Sequence, residues 1–486
     1  MRAHRSRKRP RWLGPPVAAL SVGIVLAGHA HAEPMPFIEV DPAATTALRQ
    51  RTAEHAPFVA VGVNYFDPHT GWAPKIWKEF DEERTRKHLT MLREQGFNTI
   101  RVFLTLDSFH REPGRLEAEG ERKFRTLLSL CREQNIYVIP SGPDHWEGVP
   151  AWRGKDPYAD ETILAADETW WRIFADRFKD EPAILAYDLL NEPSIRWDTP
   201  AMRDKWNDWL RTKYAATEDI ARAWDVAAES VEAFGSIAVP PPNPAPGSQR
   251  LYDYQLFRES IADAWTRRHA AAIRSVDPNH LITVGHIQWA GPIYYPGIQH
   301  YAGFNLASNA RLVDFVTIHF YPLDEPKPCD GPEGIAANAK YLEALLHQCN
   351  VGKPVMLGEF AWYGGGEIRV NGELRLPTQT LEDQLAWGRA LLDVTQGRVC
   401  GWLHWAFADT PTSNDLTRWS GCWTEDLVLK PWGRFYGEFA RTATRAPAER
   451  RPFPPDMTAL PVDRKAMLTD PAAGHAYRHR LRSGPE

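Results

Sequence analysis

The sequence has few cysteines and little net charge, and each shortage argues against a class of protein. Among 486 residues there are 5 cysteines and no C-x-x-C pair, which argues against a structural zinc site. The formal net charge is -5 with both signs interspersed, so no broad basic surface predicts a nucleic-acid partner. The chain is rich instead in tryptophan and proline, with 20 Trp and 40 Pro. This composition fits a soluble enzyme with a neutral substrate.

The first 32 residues differ from the rest of the chain. A basic start is followed by the apolar run VAALSVGIVLAG and an A-x-A site ending at Ala32, the pattern of a secretory signal. The apolar run is shorter than the ~20 residues with which a helix crosses a bilayer. We therefore expect cleavage near Ala32 and a secreted or periplasmic protein, with a permanent membrane anchor as the alternative. An exported chain can form disulfides, and Cys329 and Cys349, which flank one predicted helix, are the candidate pair.

Eight short apolar strings alternate with longer amphipathic segments. Several strings are almost continuously apolar, as in parallel strands that are buried on both faces. The apolar residues of the intervening segments recur at helical spacing. The predicted strands are 58–64, 98–104, 136–141, 184–190, 281–285, 314–320, 354–360 and 400–407. Eight βα units predict an α/β fold, a (β/α)8 TIM barrel that forms one catalytic domain over residues 50–445.

Two stretches depart from this alternation. Residues 196–256 are too long for a plain connection after the fourth strand, so we expect an inserted helical subdomain there. Because loops after barrel strands emerge on the catalytic face, its aromatic residues either roof the cleft or, more simply, form the core of the insert. Residues 446–486 are rich in Pro and Arg with little periodicity, which predicts an extended or poorly ordered tail.

Two glutamates stand at the ends of predicted strands. Glu192 follows ILAYDLL in the string LLNEPS, and Glu359 ends the strand PVMLGE. Because parallel barrel strands end at one rim, we expect the two carboxylates to face each other across the mouth, as glycosidic bond cleavage requires. One needs a raised pKa to donate a proton, and the other must stay ionised, with Arg101 at the same rim as its cation. Either glutamate alone could be an ordinary solvated or helix-capping carboxylate.

The strings LLNEP, IHFYP, GEF and LHWAF, with GVNYF and NTIRVF near the start, resemble glycoside hydrolase family 5, the cellulase and mannanase family of clan A. The resemblance spans roughly residues 58–440 and implies that Glu192 is the acid/base and Glu359 the nucleophile. It also implies substrate-binding or positioning roles for further rim residues. These are Asn191 at the sugar 2-hydroxyl, Arg101 and Tyr321 beside the nucleophile, His319 beside the acid/base, His145 after the third strand and Trp405 as a stacking platform. Trp362 is a further candidate, either for an outer sugar subsite or for shielding the barrel end.

The insert carries a second resemblance. KWNDWLRTKYAATEDIARAWD and LYDYQLFRESIADA are similar to segments of family 42 β-galactosidases, another branch of the same clan. Either family keeps the barrel and both glutamates but leaves the sugar open among mannose, glucose and galactose. The implied reaction is hydrolysis of β-linked oligo- or polysaccharides by double displacement with retention, without metal or organic cofactor. A transglycosylase with the same residues and a catalytically silent carbohydrate-binding barrel are the alternatives.

Overall fold

Eight parallel strands close into a barrel in which sheet order follows chain order. The last strand pairs with the first, with Gly401 opposite Ala60, and this contact closes the ring. The strands are β1 (Ala60–Asn64), β2 (Thr99–Thr105), β3 (Tyr137–Asp144), β4 (Ala186–Asn191), β5 (Leu281–Ile287), β6 (Val316–Phe320), β7 (Val355–Phe360) and β8 (Gly401–His404). Every strand lies within or beside a predicted string, and the (β/α)8 barrel is confirmed.

The computed structural model describes residues 35–71, 73–154, 156–294, 301–458, 460 and 462–483. The predicted signal sequence and its cleavage site lie outside these residues. Within the described ranges, none of the helices combines the length and the apolar character needed to cross a membrane.

A helix follows each barrel strand. These helices are α1 (Glu82–Gln95), α2 (Ala118–Gln134), α3 (Glu161–Phe178), α4 (Gln249–Arg274), α5 (Leu306–Asn309), α6 (Pro332–Gln348), α7 (Leu381–Thr395) and α8 (Pro431–Ala443). Short polar side chains cap several of them. Asp81 accepts the amide N–H of Arg84 at 2.8 Å, and Thr380 and Asp383 form a capping box. Helix α5 has only 4 residues, and the described part of the connection between β5 and α5 contains short helical turns at Gln288–Ala290, Pro292–Tyr294 and Tyr301–Gly303.

Two smaller sheets accompany the barrel. A three-stranded antiparallel sheet precedes β1, and a two-stranded hairpin follows β7. Their strands are Ile38–Val40, Leu48–Gln50 and Pro57–Phe58 in the first, and Gly366–Val370 and Glu373–Gln379 in the second. Since the hairpin follows a barrel strand, it stands on the side of the molecule where the strands end.

The insert after β4 is helical. Helices Pro200–Lys213 and Thr217–Trp224 lie between β4 and α4. Trp206 is fully buried and lies parallel to the ring of Trp224, with centroids 6.3 Å apart. These aromatic residues thus form the core of the insert, the simpler of the two expectations. The predicted range 196–256 is too long at its end, because its last residues already belong to α4.

The prediction of an extended tail is wrong. The chain beyond α8 forms helices at Arg464–Thr469 and Pro471–Ser483, after a short helical turn at Pro455–Thr458. Helix Arg464–Thr469, in which Met467 is buried, packs against α4. Helix Pro471–Ser483 packs against α6. Tyr477 and Leu481, four residues apart on one face, are both buried. Two apolar positions per helix are too few for a periodic signal, since these helices are stabilised by packing rather than by local pattern.

The predicted Cys329–Cys349 disulfide is also wrong. The two residues lie at opposite ends of α6, which has 17 residues. At ~1.5 Å rise per residue such a helix is roughly 25 Å long, whereas a disulfide joins Cα atoms less than about 7 Å apart. All five cysteines are free thiols.

Candidate active site

Both glutamates follow irregularities in strand pairing. Between Asp188 and Asn191, two residues of β4 face one residue of β5. Gly358, just before Glu359, is likewise an extra residue in the pairing of β7 with β6. A side chain at Gly358 is excluded, because a Cβ there would lie 2.2 Å from Thr317. Such bulges change the direction in which the next side chain points, and here they precede the two residues of interest.

Glu192 has an unusual backbone conformation. Its φ of 43° lies in the left-handed region, which is unfavourable for a residue with a Cβ by about 1–3 kcal/mol. Its amide N–H donates to the carbonyl oxygen of Gly285 in β5 at 2.8 Å, which holds the backbone in this conformation. The surrounding barrel therefore fixes the position of Glu192.

The two carboxylates meet at His319 of β6. The Nδ1 atom of His319 lies 3.0 Å from Oε1 of Glu192 and 3.6 Å from Oε1 of Glu359. One carboxylate oxygen of each glutamate and one ring nitrogen of His319 all lie within 4.8 Å of one another. The structure therefore brings together two glutamates that are far apart in the sequence.

Arg101 of β2 is the central hydrogen-bond donor of the site, and the buried polar residues that it binds form what we call the floor of the site. It is 1% exposed, and it uses all of its N–H groups. Nη1 donates to Oε1 of Glu359 at 2.6 Å and to Oδ1 of Asn64 at 3.0 Å, and Nη2 donates to Oδ1 of Asn191 at 2.9 Å. Nε and Nη2 both donate to Oδ2 of Asp188, at 2.9 and 2.7 Å. One buried cation thus faces two carboxylates, so the cluster carries an excess negative charge when both are ionised.

Tyr321 completes the hold on Glu359. Its hydroxyl donates to Oε2 of Glu359 at 2.6 Å, while Arg101 occupies Oε1. The backbone amide of Tyr321 donates to Oε1 of Gln288 at 2.6 Å, which fixes the tyrosine itself. Both oxygens of Glu359 are thereby oriented.

The two glutamates differ in electrostatic environment. Burial raises the pKa of Glu192 to about 7; the charge of Arg101 opposes this rise and that of Asp144 adds to it. Burial also raises the pKa of Glu359, and here His319, Arg101 and the hydrogen bond from Tyr321 all oppose it. Glu192 can therefore carry a proton near neutral pH, while two strong donors favour the ionised form of Glu359.

His319 is neutral at physiological pH because burial lowers the pKa of its imidazole to about 4. Its Nδ1–H can then donate to Glu192. The cluster of Glu192, His319 and Glu359 also has the spacing of a metal site. Both oxygens of Glu359 already accept hydrogen bonds from Arg101 and Tyr321, so a metal ion would compete with these donors and with the guanidinium charge. The arrangement suits proton transfer better than metal binding.

The burial of Trp362 favours the second of its two expected roles, shielding of the barrel end, over an outer sugar subsite. Its side chain is 1% exposed, and its indole N–H donates to Oε1 of Gln379 in the hairpin at 3.3 Å. A ring enclosed in this way has no face for a sugar. The sequence could not show this, because the hairpin that covers Trp362 follows it in the chain.

Two other predicted substrate contacts lie at the rim. Trp405 follows β8, packs edge to face on Phe103 at 5.7 Å and donates its indole N–H to Thr417 at 2.9 Å. His145 follows β3, is 65% exposed at its side chain and stacks on Trp146 with centroids 4.7 Å apart. Both remain predicted sugar contacts.

Sequence reasoning missed several polar residues of the floor. Asp188 and Asn64 are completely buried against Arg101, as is Ser141, whose hydroxyl lies 3.1 Å from Nη2. A signal for Asp188 was present: an aspartate in the middle of the apolar strand ILAYDLL must find a buried cation.

Two family models match the chain: Cellulase (glycosyl hydrolase family 5) over residues 53–234 and the family 42 β-galactosidase model over residues 153–377. A curated relative, the probable mannan endo-1,4-β-mannosidase F of Emericella nidulans, is 21% identical over 370 residues, which cover 70% of this chain and 66% of the relative. The chain spans about a third to two thirds of the length of the curated relatives it matches.

Solved structures show the same fold. The exo-β-1,4-mannosidase from Opitutaceae bacterium strain TAV5 has a TM-score of 0.58 at 20% identity, with 84% of this chain and 62% of that chain covered. A GH5_18 variant from Streptomyces cattleya in complex with Manβ1-4GlcNAc has a TM-score of 0.59 at 18% identity, with coverages of 87% and 91%.

The barrel, the carboxylate pair and these partial matches make the chain similar to the clan A glycoside hydrolases. Residues 53–234 resemble family 5, and residues 153–377 resemble family 42. The family resemblance seen in the sequence is confirmed.

Proposed function

We propose that the protein hydrolyses β-linked glycosides with retention of configuration, with Glu359 as the nucleophile and Glu192 as the acid/base. The observation that carries the proposal is the spacing of the two carboxylates, whose oxygens approach within 4.8 Å. A retaining enzyme needs carboxyl groups about 5–5.5 Å apart, whereas an inverting enzyme needs about 6.5–9.5 Å to admit a water molecule.

In the first step Glu359 attacks the anomeric carbon and the bond to the leaving oxygen breaks. Glu192 transfers its proton to that oxygen, which its pKa of about 7 permits near neutrality. Positive charge develops on the sugar ring in the transition state, and the excess negative charge around Arg101, Asp188 and Glu359 stabilises it. The product of this step is a covalent glycosyl-enzyme on Glu359.

In the second step Glu192, now ionised, takes a proton from a water molecule that attacks the same carbon. The bond to Glu359 breaks and both carboxyl groups return to their starting states. Asn191 assists in both steps. Its Oδ1 accepts from Arg101, which leaves the Nδ2 donors for the sugar 2-hydroxyl.

We propose a β-mannoside as the first substrate class. The support is the naming of the curated relative and of the two solved structures as mannosidases or as a complex with Manβ1-4GlcNAc. The insert after β4 and the hairpin after β7 both lie in connections that follow barrel strands, which favours a restricted cleft and hence exo action or short oligosaccharides. A β-galactoside is the second candidate, because the family 42 model matches residues 153–377.

The test combines a substrate panel with covalent trapping. Aryl β-mannosides, β-glucosides and β-galactosides and Manβ1-4GlcNAc would be assayed, and the first-formed anomer would be followed by NMR. A 2-fluoro glycosyl fluoride should label the peptide that contains Glu359, while Glu367→Gln on the exposed hairpin serves as a control that keeps activity. An inverted first product, or a label on another residue, refutes the assignment.

Export of the protein is part of the proposal and rests on the sequence of residues 1–32. N-terminal sequencing of the protein from the periplasm or the medium should find a start just after Ala32. A full-length chain retained in the cell contradicts export.

A further inference from the structure

Asp144 is a polar residue of the rim that the proposed mechanism does not use. It is the last residue of β3, and β3 lies between β2 and β4, the strands of Arg101 and Glu192. Its side chain is 1% exposed. Oδ1 accepts the backbone N–H of His145 at 2.6 Å and lies 2.5 Å from Nδ1 of the same residue. Oδ2 is also buried but has no hydrogen-bond partner among the described residues.

A buried carboxylate oxygen without a donor is unfavourable, so its presence calls for an explanation. Asp144 ends β3 three residues after Ser141, which pairs with Asp188 of β4, and β4 ends at Asn191, directly before Glu192. Its charge contributes to the raised pKa of Glu192. It also contributes, after burial, to the raised pKa of Tyr158, whose hydroxyl accepts the amide N–H of Ser194 just beyond Glu192. Oδ2 is thus an unsatisfied acceptor at the end of β3, the strand that pairs with the strand preceding the acid/base.

His145 is placed less favourably for binding sugar. Its ring is mostly exposed, its Nδ1 faces Asp144, and one ring face is covered by Trp146. Sugar hydroxyl groups donate hydrogen bonds, and an ionised carboxylate is the strongest side-chain acceptor for them at neutral pH.

We propose that Asp144, rather than its neighbour His145, is the specificity-determining residue of β3, and that its Oδ2 accepts a hydrogen bond from a hydroxyl group of the sugar at the cleavage point. This inference rests on the proposed function. It replaces His145 in the set of residues that contact the substrate.

The test combines each protein variant with each modified substrate and asks whether the two losses in kcat/KM are additive, as in a double-mutant cycle. Asp144→Ala, His145→Ala and Val149→Ala, the last on an exposed part of the same loop, would be assayed on an aryl glycoside and on its 3-, 4- and 6-deoxy analogues. The wild type should lose roughly 10- to 100-fold in kcat/KM on one deoxy analogue, which lacks the hydroxyl. Asp144→Ala should lose a similar factor on the parent glycoside and nothing further on that analogue. His145→Ala should lose several-fold less.

Additive losses for Asp144→Ala on every deoxy analogue would overturn the inference, as would an equal or larger loss for His145→Ala. Asp144→Asn covers the case in which the alanine variant does not fold, because it keeps Oδ1 and replaces the charged acceptor Oδ2. The same asparagine variant should move the basic limb of the pH profile to lower pH, since the charge of Asp144 helps to raise the pKa of Glu192. A shift of that limb without coupling in the substrate cycles would assign Asp144 an electrostatic role only and would overturn the hydrogen bond to the sugar.

The groups that face Glu192 limit other causes of such a shift. They are Arg101 from β2, Asp144 from β3, His319 from β6, Tyr321 just after β6, Glu359 from β7 and Tyr301 from the segment after β5. If the wild type cleaves none of the parent glycosides, the proposed function fails as a whole. If the wild type cleaves them but the losses from Asp144→Ala and from the deoxy analogues are additive, the inference about Asp144 fails while the proposed function stands.

Discussion

The ends of β7 and β4 each present a glutamate, but the two side chains have different environments. Glu359 at β7 has a 4% exposed side chain, with one oxygen bound by Arg101 and the other by Tyr321. Glu192 at β4 has a 23% exposed side chain and contacts His319. A nucleophile has to be fixed and ionised, whereas an acid/base must exchange its proton with a leaving group and with water. The environments, rather than the residue types, separate the two roles.

The largest effect should come from removing the fixed carboxylate. Glu359→Ala should lower kcat about 10⁴-fold or more for every substrate, because no covalent intermediate can form. The fold should persist, since Asp188 still pairs with Arg101. Steady-state kinetics and a circular-dichroism melt measure the two quantities. Near-normal turnover would assign the nucleophile elsewhere.

Removing the partly exposed carboxylate of Glu192 should have a smaller effect that depends on the leaving group. Glu192→Ala should lower kcat/KM by roughly 10²- to 10⁴-fold for alkyl glycosides, which need protonation, and far less for dinitrophenyl glycosides. A plot of rate against the pKa of the leaving group tests this. Equal losses across the series would show that β4 and β7 do not differ in role.

Removing one of the two donors to Glu359 should make its environment more similar to that of Glu192. Tyr321→Phe removes the donor to Oε2, and hydrogen bonds to charged groups are worth about 1.5–3 kcal/mol, so kcat/KM should fall roughly 10- to 100-fold. The pKa of Glu359 should rise, because that hydrogen bond lowers it, and the acidic limb of the profile should move to higher pH. Tyr252→Phe on α4 is the matched control. An unmoved acidic limb would contradict the argument.

The smallest effect is the pH dependence of the wild type. Glu192 must be protonated to act as an acid, so activity should fall as the pH rises through its pKa of about 7, by roughly tenfold at one unit above it. Rate profiles from pH 5 to 9 on a substrate with a poor leaving group measure this limb. A limb that persists in Glu192→Ala belongs to another residue.

Some features of the site followed from local patterns. The apolar strings ending in Glu192 and Glu359 mark buried parallel strands, and such strands end at one rim of a barrel, so the meeting of the two residues could be anticipated. Arg101 and Tyr321 were found through the family strings in the same way. His145 was chosen over Asp144 from its residue type, and the sequence does not reveal which of the two side chains is buried at the end of β3.

Features that depend on packing between distant segments could not be anticipated. Trp362 looked like a rim residue because the hairpin that covers it comes later in the chain. The tail looked unstructured because its few apolar residues become significant only against α4 and α6. Cys329 and Cys349 looked like partners until the helix between them set their separation.

The sequence by itself determined the barrel, its strands and the two glutamates, because periodicity and strand ends are local properties of the chain. The tertiary structure alone decided which glutamate is bound by two donors and which is partly exposed. The reason is that the pKa and orientation of each depend on burial and on donors from other strands, chiefly Arg101, Tyr321 and His319. The bulges before both glutamates are also decided by the tertiary structure, since a bulge exists only in relation to a neighbouring strand.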